Sequence, residues 1–147
     1  MKITIGCDHA AFEEKTILVE YLKEELGHNI IDLGAYSSES VDYPAYGHLV
    51  GRSVINKEAD KGIILCGSGI GISIAANKVK DVRAALCTSE EHAIMSRKHN
   101  DANVLAFGAR LTDIELIKSI TKVWLETDFE GGRHLARIKK IEILNGF

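Results

Sequence analysis

A thiol and a loop of glycines lie together near the middle of the sequence. Cys66 ends a short apolar run, and Gly67, Gly69 and Gly71 follow it directly. A glycine loop between a strand and a helix can turn backbone N–H groups toward an anion at the positive end of the helix. The same donors would favour the thiolate form of the cysteine. The pattern therefore predicts a nucleophile or general base beside an anion-binding loop.

The same residues also permit structural interpretations. The loop is not a dinucleotide motif, because GxGxxG would need glycine where Ile72 stands, and it lacks the GK[ST] of a Walker loop. It could serve only to let a strand and a helix pack closely, and Cys66 could be a small buried apolar residue. Cys7 and Cys87 lie at other predicted strand ends without a glycine loop, so we expect them to be structural.

Histidines and arginines supply candidates for proton transfer and phosphate binding. His9 follows the first predicted strand, and His99 lies near a helix end, where it could instead interact with the helix dipole. His92 and His99 could share a helical face as metal ligands, but no HExxH or carboxylate pattern accompanies them, and we predict no metal. Arg133 and Arg137 share a helical face, a spacing that suits phosphate, although surface arginines are usually only solvated.

Strands and helices alternate along the whole chain. Apolar runs predict strands at 3–5, 29–33, 63–66, 83–87 and 103–107, and helical spacing predicts helices at about 10–26, 44–57, 72–78, 88–98, 112–125 and 133–144. Capping boxes that begin at Thr88 and Thr112 would start two of these helices. Because parallel strands need crossover connections, the order predicts an α/β fold of three layers. This fold is a doubly wound, Rossmann-like, five-stranded parallel sheet with helices on both faces.

The predicted topology gathers several polar residues at one edge of the sheet. Ligands of such sheets bind beyond the carboxyl ends of the strands, where Asp8, His9, Cys66, Ser68 and Arg110 would lie. The last helix has no further strand to connect, yet it carries apolar residues at positions 135, 138, 141 and 144. We therefore expect this C-terminal helix to reach a partner subunit in a homodimer.

Composition limits the classes of function. The 147 residues suggest one domain, and a net charge of −3 without a basic excess argues against binding nucleic acid or an anionic membrane. No apolar run approaches the ~20 residues that span a bilayer. No signal-peptide pattern opens the chain, and three cysteines stand far apart. We expect a cytoplasmic protein with reduced thiols.

Five motifs together resemble one known family. They are GCDH at 6–9, DYP at 42–44, CGSGIGISIAANK at 66–78, HNDAN at 99–103 and GGRH at 131–134. In this order they resemble ribose-5-phosphate isomerase B, a family that includes the galactose-6-phosphate isomerase subunits. The resemblance covers essentially the whole chain without large insertions, which makes it far more specific than any single motif.

The resemblance implies an aldose–ketose isomerase that interconverts D-ribose 5-phosphate and D-ribulose 5-phosphate in the non-oxidative branch of the pentose phosphate pathway. The reaction would pass through a cis-enediolate, with no metal or organic cofactor. Cys66 resembles the base, His99 the acid that opens the sugar ring, and Ser68 a hydroxyl-bearing catalytic residue. The implied substrate-binding residues are Asp8, His9, Tyr43, Gly67, Gly69, Ile70, Gly71, Asn100, Arg110, Arg133 and Arg137.

The resemblance also implies how the subunits assemble and what they bind. Family members are dimers or tetramers whose sites combine residues from two subunits, so we expect a homodimer or a dimer of dimers, with a small sugar phosphate as ligand. Two alternatives stay open. The substrate could be a six-carbon sugar phosphate such as allose or galactose 6-phosphate. The chain could instead be a non-catalytic anion-binding or thiol-sensing domain, which would not need His99.

Overall fold

One parallel β-sheet organises the computed structural model, which describes residues 1–142. The strands are β1 Lys2–Cys7, β2 Asn29–Asp32, β3 Lys61–Cys66, β4 Ala84–Leu86 and β5 Val104–Gly108. The helices are α1 Phe12–Glu20, α2 Tyr43–Ile55, α3 Ile70–Asn77, α4 Glu90–Asn100, α5 Ile114–Glu126 and α6 Arg133–Ile141. A 3₁₀ turn at His9–Ala11 precedes α1, and a π-helical turn at Tyr21–Glu25 follows it. Over these residues, no helix has both the length and the apolar character that crossing a bilayer requires.

The strand order puts β3 at the centre of the sheet. The five strands are parallel and run in the order β2-β1-β3-β5-β4, which confirms the predicted fold class. From β1 the chain adds β2 on one side, then crosses back to β3 on the other side of β1 and continues with β4 and β5 on that side. The direction in which strands are added therefore reverses between β1 and β3. Such a reversal opens a crevice at the carboxyl edge of a sheet. Cys66, the last residue of β3, lies beside this reversal.

Apolar side chains cover both faces of the sheet. On one face, Leu18 of α1 and Trp124 of α5 belong to one fully buried cluster. On the other face, Val50 of α2 and Ile72 of α3 belong to a second cluster, which also contains Cys66. Each buried side chain of this size contributes roughly 1.5–3 kcal/mol relative to an exposed one. The resulting three layers hold the carboxyl edge of β3 between helices on both sides.

Both predicted capping boxes were wrong by one residue. The N-cap of α4 is Ser89, whose Oγ accepts from the His92 backbone N–H at 3.2 Å, rather than Thr88. The N-cap of α5 is Asp113, whose Oδ1 accepts from the Glu115 N–H at 2.9 Å. Thr112, the predicted cap of α5, is buried instead. An N-cap needs extended backbone as well as a polar side chain, and Ser89 and Asp113 both have it.

The C-terminal helix packs first on its own chain. In α6, His134 and Ile138 are buried, whereas Leu135 and Ile141 are about half exposed, at 44% and 55%. Position 144, the last apolar residue expected on this face, lies outside the described residues. The helix therefore contacts α4 with one face and keeps apolar residues on another. Its contact with a partner subunit stays a prediction.

A buried lysine supports the carboxyl edge of the sheet near β1 and β2. The Lys15 ammonium donates to both carboxylate oxygens of Asp32, at 2.8 and 2.6 Å, and to the Ala35 carbonyl at 2.9 Å. The turn that it holds pairs with the end of β1, because Ala35 N–H donates to the Cys7 carbonyl at 2.8 Å.

We expect Lys15→Met to lower the free energy of unfolding by about 2 kcal/mol. Removing one member of a fully buried ion pair costs roughly 3–5 kcal/mol, but Asp32 is about one-third exposed (32%) and water screens part of its charge. Urea denaturation measures the change, and Lys23→Met, at an exposed position of the following turn, is the matched control. Equal destabilisation by both variants would contradict the structural role of Lys15.

Candidate active site

The glycine loop after β3 folds back over the thiol. The Gly69 N–H donates to Cys66 Sγ at 3.1 Å, and Cys66 itself is 4% exposed. Helix α3 begins immediately afterwards at Ile70, so the sulfur lies ahead of a helix N-terminus, as predicted. A donor aimed at sulfur stabilises negative charge there. The arrangement suits a thiol that must give up and recover a proton.

The glycines of the loop are also required for close packing. Gly69 has φ +76°, and a Cβ at this position would lie 2.6 Å from the Phe107 carbonyl carbon and 2.7 Å from the Gly108 nitrogen. A Cβ at Gly71 would lie 2.6 Å from Cζ of the Tyr43 ring. The loop thus packs directly on β5, and Tyr43 packs directly on the start of α3. Both interpretations of the glycine pattern, close packing and N–H donors, apply together.

Arg110 and Ser68 border the loop on its exposed side. The Arg110 backbone N–H donates to the Gly67 carbonyl at 3.0 Å. Its guanidinium Nη1 lies 3.3 Å from the point that a Cβ on Gly67 would occupy. Ser68 is exposed, and its Oγ accepts from the Ile70 N–H at 3.3 Å. A positive charge and a hydroxyl therefore stand next to the thiol, both open to a ligand.

Asp8 and His9 lie at the same edge, after β1. Asp8 is 7% exposed, its N–H donates to the Leu65 carbonyl at 3.2 Å, and its Oδ1 accepts from the Ala10 N–H at 3.0 Å. His9 is half-buried, and its Nδ1 lies 3.2 Å from both the nitrogen and the carbonyl oxygen of Val41. Their predicted position at the edge that carries Cys66 is confirmed.

The other two cysteines differ from Cys66 in their surroundings. Burial raises the pKa of Cys7 to about 11, against the opposing effect of the nearby Lys15 charge. Burial likewise raises the pKa of Cys87 to about 11, against the effect of a hydrogen bond with Ser96. Both groups are thiols rather than thiolates at neutral pH, which agrees with the structural role expected for them.

His99 and Asn100 lie at the opposite edge of the sheet. Helix α4 runs antiparallel to β4 and β5, so its last turn returns to the amino ends of the strands. There Arg83 Nε donates to the Asn100 carbonyl at 2.9 Å, and the Asn103 carbonyl accepts from the N–H of Gly62, near the start of β3. Cys66 pairs with the far end of β5. At about 3.3 Å per residue, the two edges are roughly 15 Å apart.

The two predicted arginines share the edge that carries His99. Arg133 begins α6, which packs on α4, and the Glu130 N–H just before it donates to the Lys98 carbonyl at 3.1 Å. Arg137 lies one turn further along α6, and both arginines are exposed. One chain therefore divides the predicted site into two groups. Cys66 is accompanied by Asp8, His9, Tyr43, Gly67, Ser68, Gly69, Ile70, Gly71 and Arg110. His99 is accompanied by Asn100, Arg133 and Arg137.

Sequence reasoning missed two residues beside His99. The His134 ring stacks on the His99 ring, with centroids 4.3 Å apart and planes 13° apart. Glu130 Oε2 lies 3.6 Å from His134 Nε2. His134 belongs to the GGRH motif, but only its neighbour Arg133 was given a role. The available signal was the pair of glycines ahead of the helix, which permits a sharp turn toward α4.

The cluster of His99, Glu130 and His134 is not arranged as a metal centre. One potential ligand atom from each residue lies within 4.8 Å of the others. A metal ion binds in the plane of an imidazole ring, however, and two nearly parallel rings have planes that do not meet at bonding distance. His92, considered as a metal ligand with His99, lies at the start of α4 with Nδ1 3.2 Å from Thr88 Oγ1.

A cavity of about 670 Å³ opens beside β4, at the amino edge of the sheet. Its lining includes Lys78, Arg83, Asn100 and Ile141. Neither Cys66 nor the glycine loop contributes to it. The chemistry of the side chains, rather than cavity size, therefore identifies the candidate site.

Comparisons with known proteins show the family and the fold of this chain. A family model described as Ribose/Galactose Isomerase matches residues 3–141. Ribose-5-phosphate isomerase B of Escherichia coli (strain K12) is 49% identical over 140 residues, covering 95% of this chain and 93% of its own length. Galactose-6-phosphate isomerase subunit LacB of Clostridium acetobutylicum is 45% identical over 130 residues, covering 88% and 75%. The solved structure of Clostridium thermocellum ribose-5-phosphate isomerase B matches with a TM-score of 0.95 at 48% identity, covering 97% of this chain and 95% of that chain.

We expect His134 to titrate below an ordinary histidine. Burial, then the nearby charges of His99, Arg133 and Arg137, lower the pKa of His134, and Glu130 opposes them. Glu130→Gln should therefore lower the pKa further. Because the unfolded chain takes up this proton first as pH falls, the free energy of unfolding should fall as the pH is lowered through the interval between the unfolded and folded pKa values of His134. NMR titration of the His134 ring protons measures this pKa in the wild type and in Glu130→Gln. A His134 pKa above that of an ordinary histidine would contradict the prediction.

Proposed function

Because this chain belongs to the ribose/galactose isomerase family, we propose that it interconverts D-ribose 5-phosphate and D-ribulose 5-phosphate. The observation that carries the proposal is the Cys66 thiol at the centre of the carboxyl edge, with the Gly69 N–H donating to its sulfur. The relatives compared above that are named ribose-5-phosphate isomerase B match this chain over nearly its whole length. We place the reaction at this thiol.

Isomerisation moves a carbonyl group between C1 and C2 of the open-chain sugar. The Cys66 thiolate removes the proton from C2, and the electrons move onto O1 to give a cis-enediolate. The same sulfur then returns a proton to C1, while the proton of the C2 hydroxyl moves to O1. Ser68 is our candidate for this second transfer, because a hydroxyl both donates and accepts. Backbone N–H groups between Gly67 and Gly71 stabilise the oxygen charge, typically by about 3 kcal/mol per donor.

The aldose must be opened before this proton transfer. Ribose 5-phosphate closes into a furanose ring through its C4 oxygen, and we assign His99 as the acid that protonates this oxygen while the C1–O bond breaks. Ribulose 5-phosphate stays open, because its C5 hydroxyl carries the phosphate. His99 is thus required chiefly for the aldose. The phosphate, remote from the reacting carbons, would be held by His9, Arg133 and Arg137.

We propose that a homodimer completes the site. Since Cys66 and His99 stand at opposite edges in one chain, His99, Asn100, Arg133 and Arg137 of the partner subunit would complete the thiol edge of the first. Exposed apolar residues on α2, α3 and α6 support such an interface: Leu49, Ile70, Ile74, Leu135 and Ile141. Closed two-fold symmetry would then form two equivalent sites. A dimer of dimers would contain the same sites, each shared between two subunits.

A hexose 6-phosphate is the second candidate substrate. The 45% identity to a galactose-6-phosphate isomerase subunit favours it, since one family includes both activities. The extra carbon places the phosphate further from C1 and C2. Parallel assays with ribose 5-phosphate, allose 6-phosphate and galactose 6-phosphate therefore decide between the two substrate classes.

We further propose a cytoplasmic location and a small sugar phosphate as the only ligand needed. The three cysteines Cys7, Cys66 and Cys87 are all unpaired, which suits a reducing compartment. The slightly negative net charge of −3 gives no support to binding of nucleic acid or of a membrane surface.

We expect Cys66→Ala to abolish conversion in both directions while phosphate binding survives, because the base is lost and the arginines remain. His99→Ala should lower kcat from ribose 5-phosphate by about 10²–10⁴-fold, the usual contribution of general acid–base catalysis. It should spare the initial rate from open-chain ribulose 5-phosphate. Steady-state assays with each substrate measure both effects. Near-normal turnover of Cys66→Ala would favour a different base.

We expect a mixture of the two inactive variants to regain activity. When Cys66→Ala and His99→Ala subunits are unfolded together and refolded, half of the dimers are hybrids, and each hybrid has one site with both groups intact. Recovery of about one quarter of the wild-type activity on ribose 5-phosphate follows from this symmetry. Each variant refolded alone is the control. No recovery, or a fully active monomer in sedimentation, would refute the shared site.

A further inference from the structure

We propose that His134 is a positioning residue for His99, holding its ring by face-to-face stacking, and that Glu130 orients His134 in turn. This inference rests on the acid role proposed for His99 and deepens it. The residues come from three parts of the structure: the end of α4, the connection after α5 and the start of α6.

Stacking is the contact that orients the His99 ring. The two rings are 4.3 Å apart at their centroids and tilted by only 13°. His134 is 5% exposed, so it forms a fixed buried surface, whereas His99 is half-buried. Within residues 1–142, no hydrogen bond engages the ring nitrogens of His99. The stack therefore restricts rotation of this ring while leaving its nitrogens available to a sugar oxygen.

The backbone from Glu130 to His134 places the His134 ring against His99. The Glu130 N–H donates to the Lys98 carbonyl at 3.1 Å, directly beside His99. Gly131 and Gly132 follow with φ of +68° and +54°, conformations that favour glycine. The His134 N–H then donates to the Gly131 carbonyl at 3.1 Å. Two glycines thus let the chain reverse and begin α6 with His134 against α4.

The surroundings of the pair disfavour a proton on His134. His134 faces His99 of α4, Glu130 of the connection, and Arg133 and Arg137 of its own helix, and Glu130 also lies near the Lys98 ammonium. Burial and the cations disfavour a charged His134, and Glu130 only partly offsets them. Two imidazolium rings at this separation would repel each other. A neutral His134 ring instead leaves its π-face stacked against the His99 ring.

Orientation matters because a general acid works only within hydrogen-bond reach of its target. The acid must approach the ring oxygen to about 2.6–3.2 Å, and a misplaced ring loses much of its contribution. A half-buried histidine in the last turn of a helix has two side-chain torsions to restrict. The His134 ring restricts them without competing for either nitrogen of His99.

The experiment compares His134→Ala, His134→Phe and Glu130→Gln with Lys139→Ala, an exposed control on α6. Each is assayed with ribose 5-phosphate and with ribulose 5-phosphate. Removal of the stacked ring in His134→Ala should lower kcat from ribose 5-phosphate by about tenfold or more, with less than about a twofold change in KM and in the rate from ribulose 5-phosphate. His134→Phe, which keeps a planar face, should recover most of that loss. Glu130→Gln should give a smaller loss in the same direction, and Lys139→Ala none.

A second measurement tests the stack without using activity. In histidine-labelled protein, the ring protons of His99 should be shielded by the neighbouring ring, and they should move downfield in His134→Ala. Thermal unfolding of every variant identifies a general loss of structure. Equal losses with both substrates, equal losses from His134→Ala and His134→Phe, or unshifted His99 signals would overturn the inference. If the wild type fails to interconvert the two sugars while the His99 signals still shift, the proposed function fails and the stack stands.

Discussion

The antiparallel course of each helix relative to its strand is the constraint on which this site depends. A strand ends at the carboxyl edge of the sheet, and the helix that follows must end at the amino edge. Cys66 is the last residue of β3, whereas His99 lies in the last turn of α4. Within one chain these two positions lie at opposite edges of the sheet. If Cys66 and His99 act on one sugar as proposed, a second subunit must turn its amino edge toward the first.

At the carboxyl edge, the backbone itself supplies a hydrogen-bond donor to the thiol. The loop from Gly67 to Gly71 has small residues where β5 and Tyr43 approach, and this closeness turns the Gly69 N–H onto sulfur. Cys7 and Cys87 lie at other strand ends without a glycine loop, and burial raises the pKa of each to about 11. The same residue type is therefore our candidate base at one strand end and a buried thiol at two others.

At the amino edge, side chains from distant parts of the sequence stabilise one another. Arg97 Nη1 donates to Asp101 Oδ1 at 2.7 Å, and Arg83 donates to backbone carbonyls of the same turn. Asp101 has φ +44°, an uncommon conformation that these contacts support. This network fixes the backbone next to His99, and the stacked His134 fixes the ring. Two different interactions thus define the place of one candidate acid.

The sequence by itself determined the alternation of strands and helices, the parallel sheet and the edge that carries Cys66, because periodicity and glycine spacing are local signals. Through a family resemblance it also predicted His99, Arg133 and Arg137 as site residues, and their roles stay a prediction. The exact helix starts depended on backbone conformation, so Ser89 and Asp113 replaced the predicted caps. Only the tertiary structure decided that the candidate residues divide between two edges, and that His134 stacks on His99. Those relations join segments far apart in the chain, and no local pattern in either segment specifies a distance to the other.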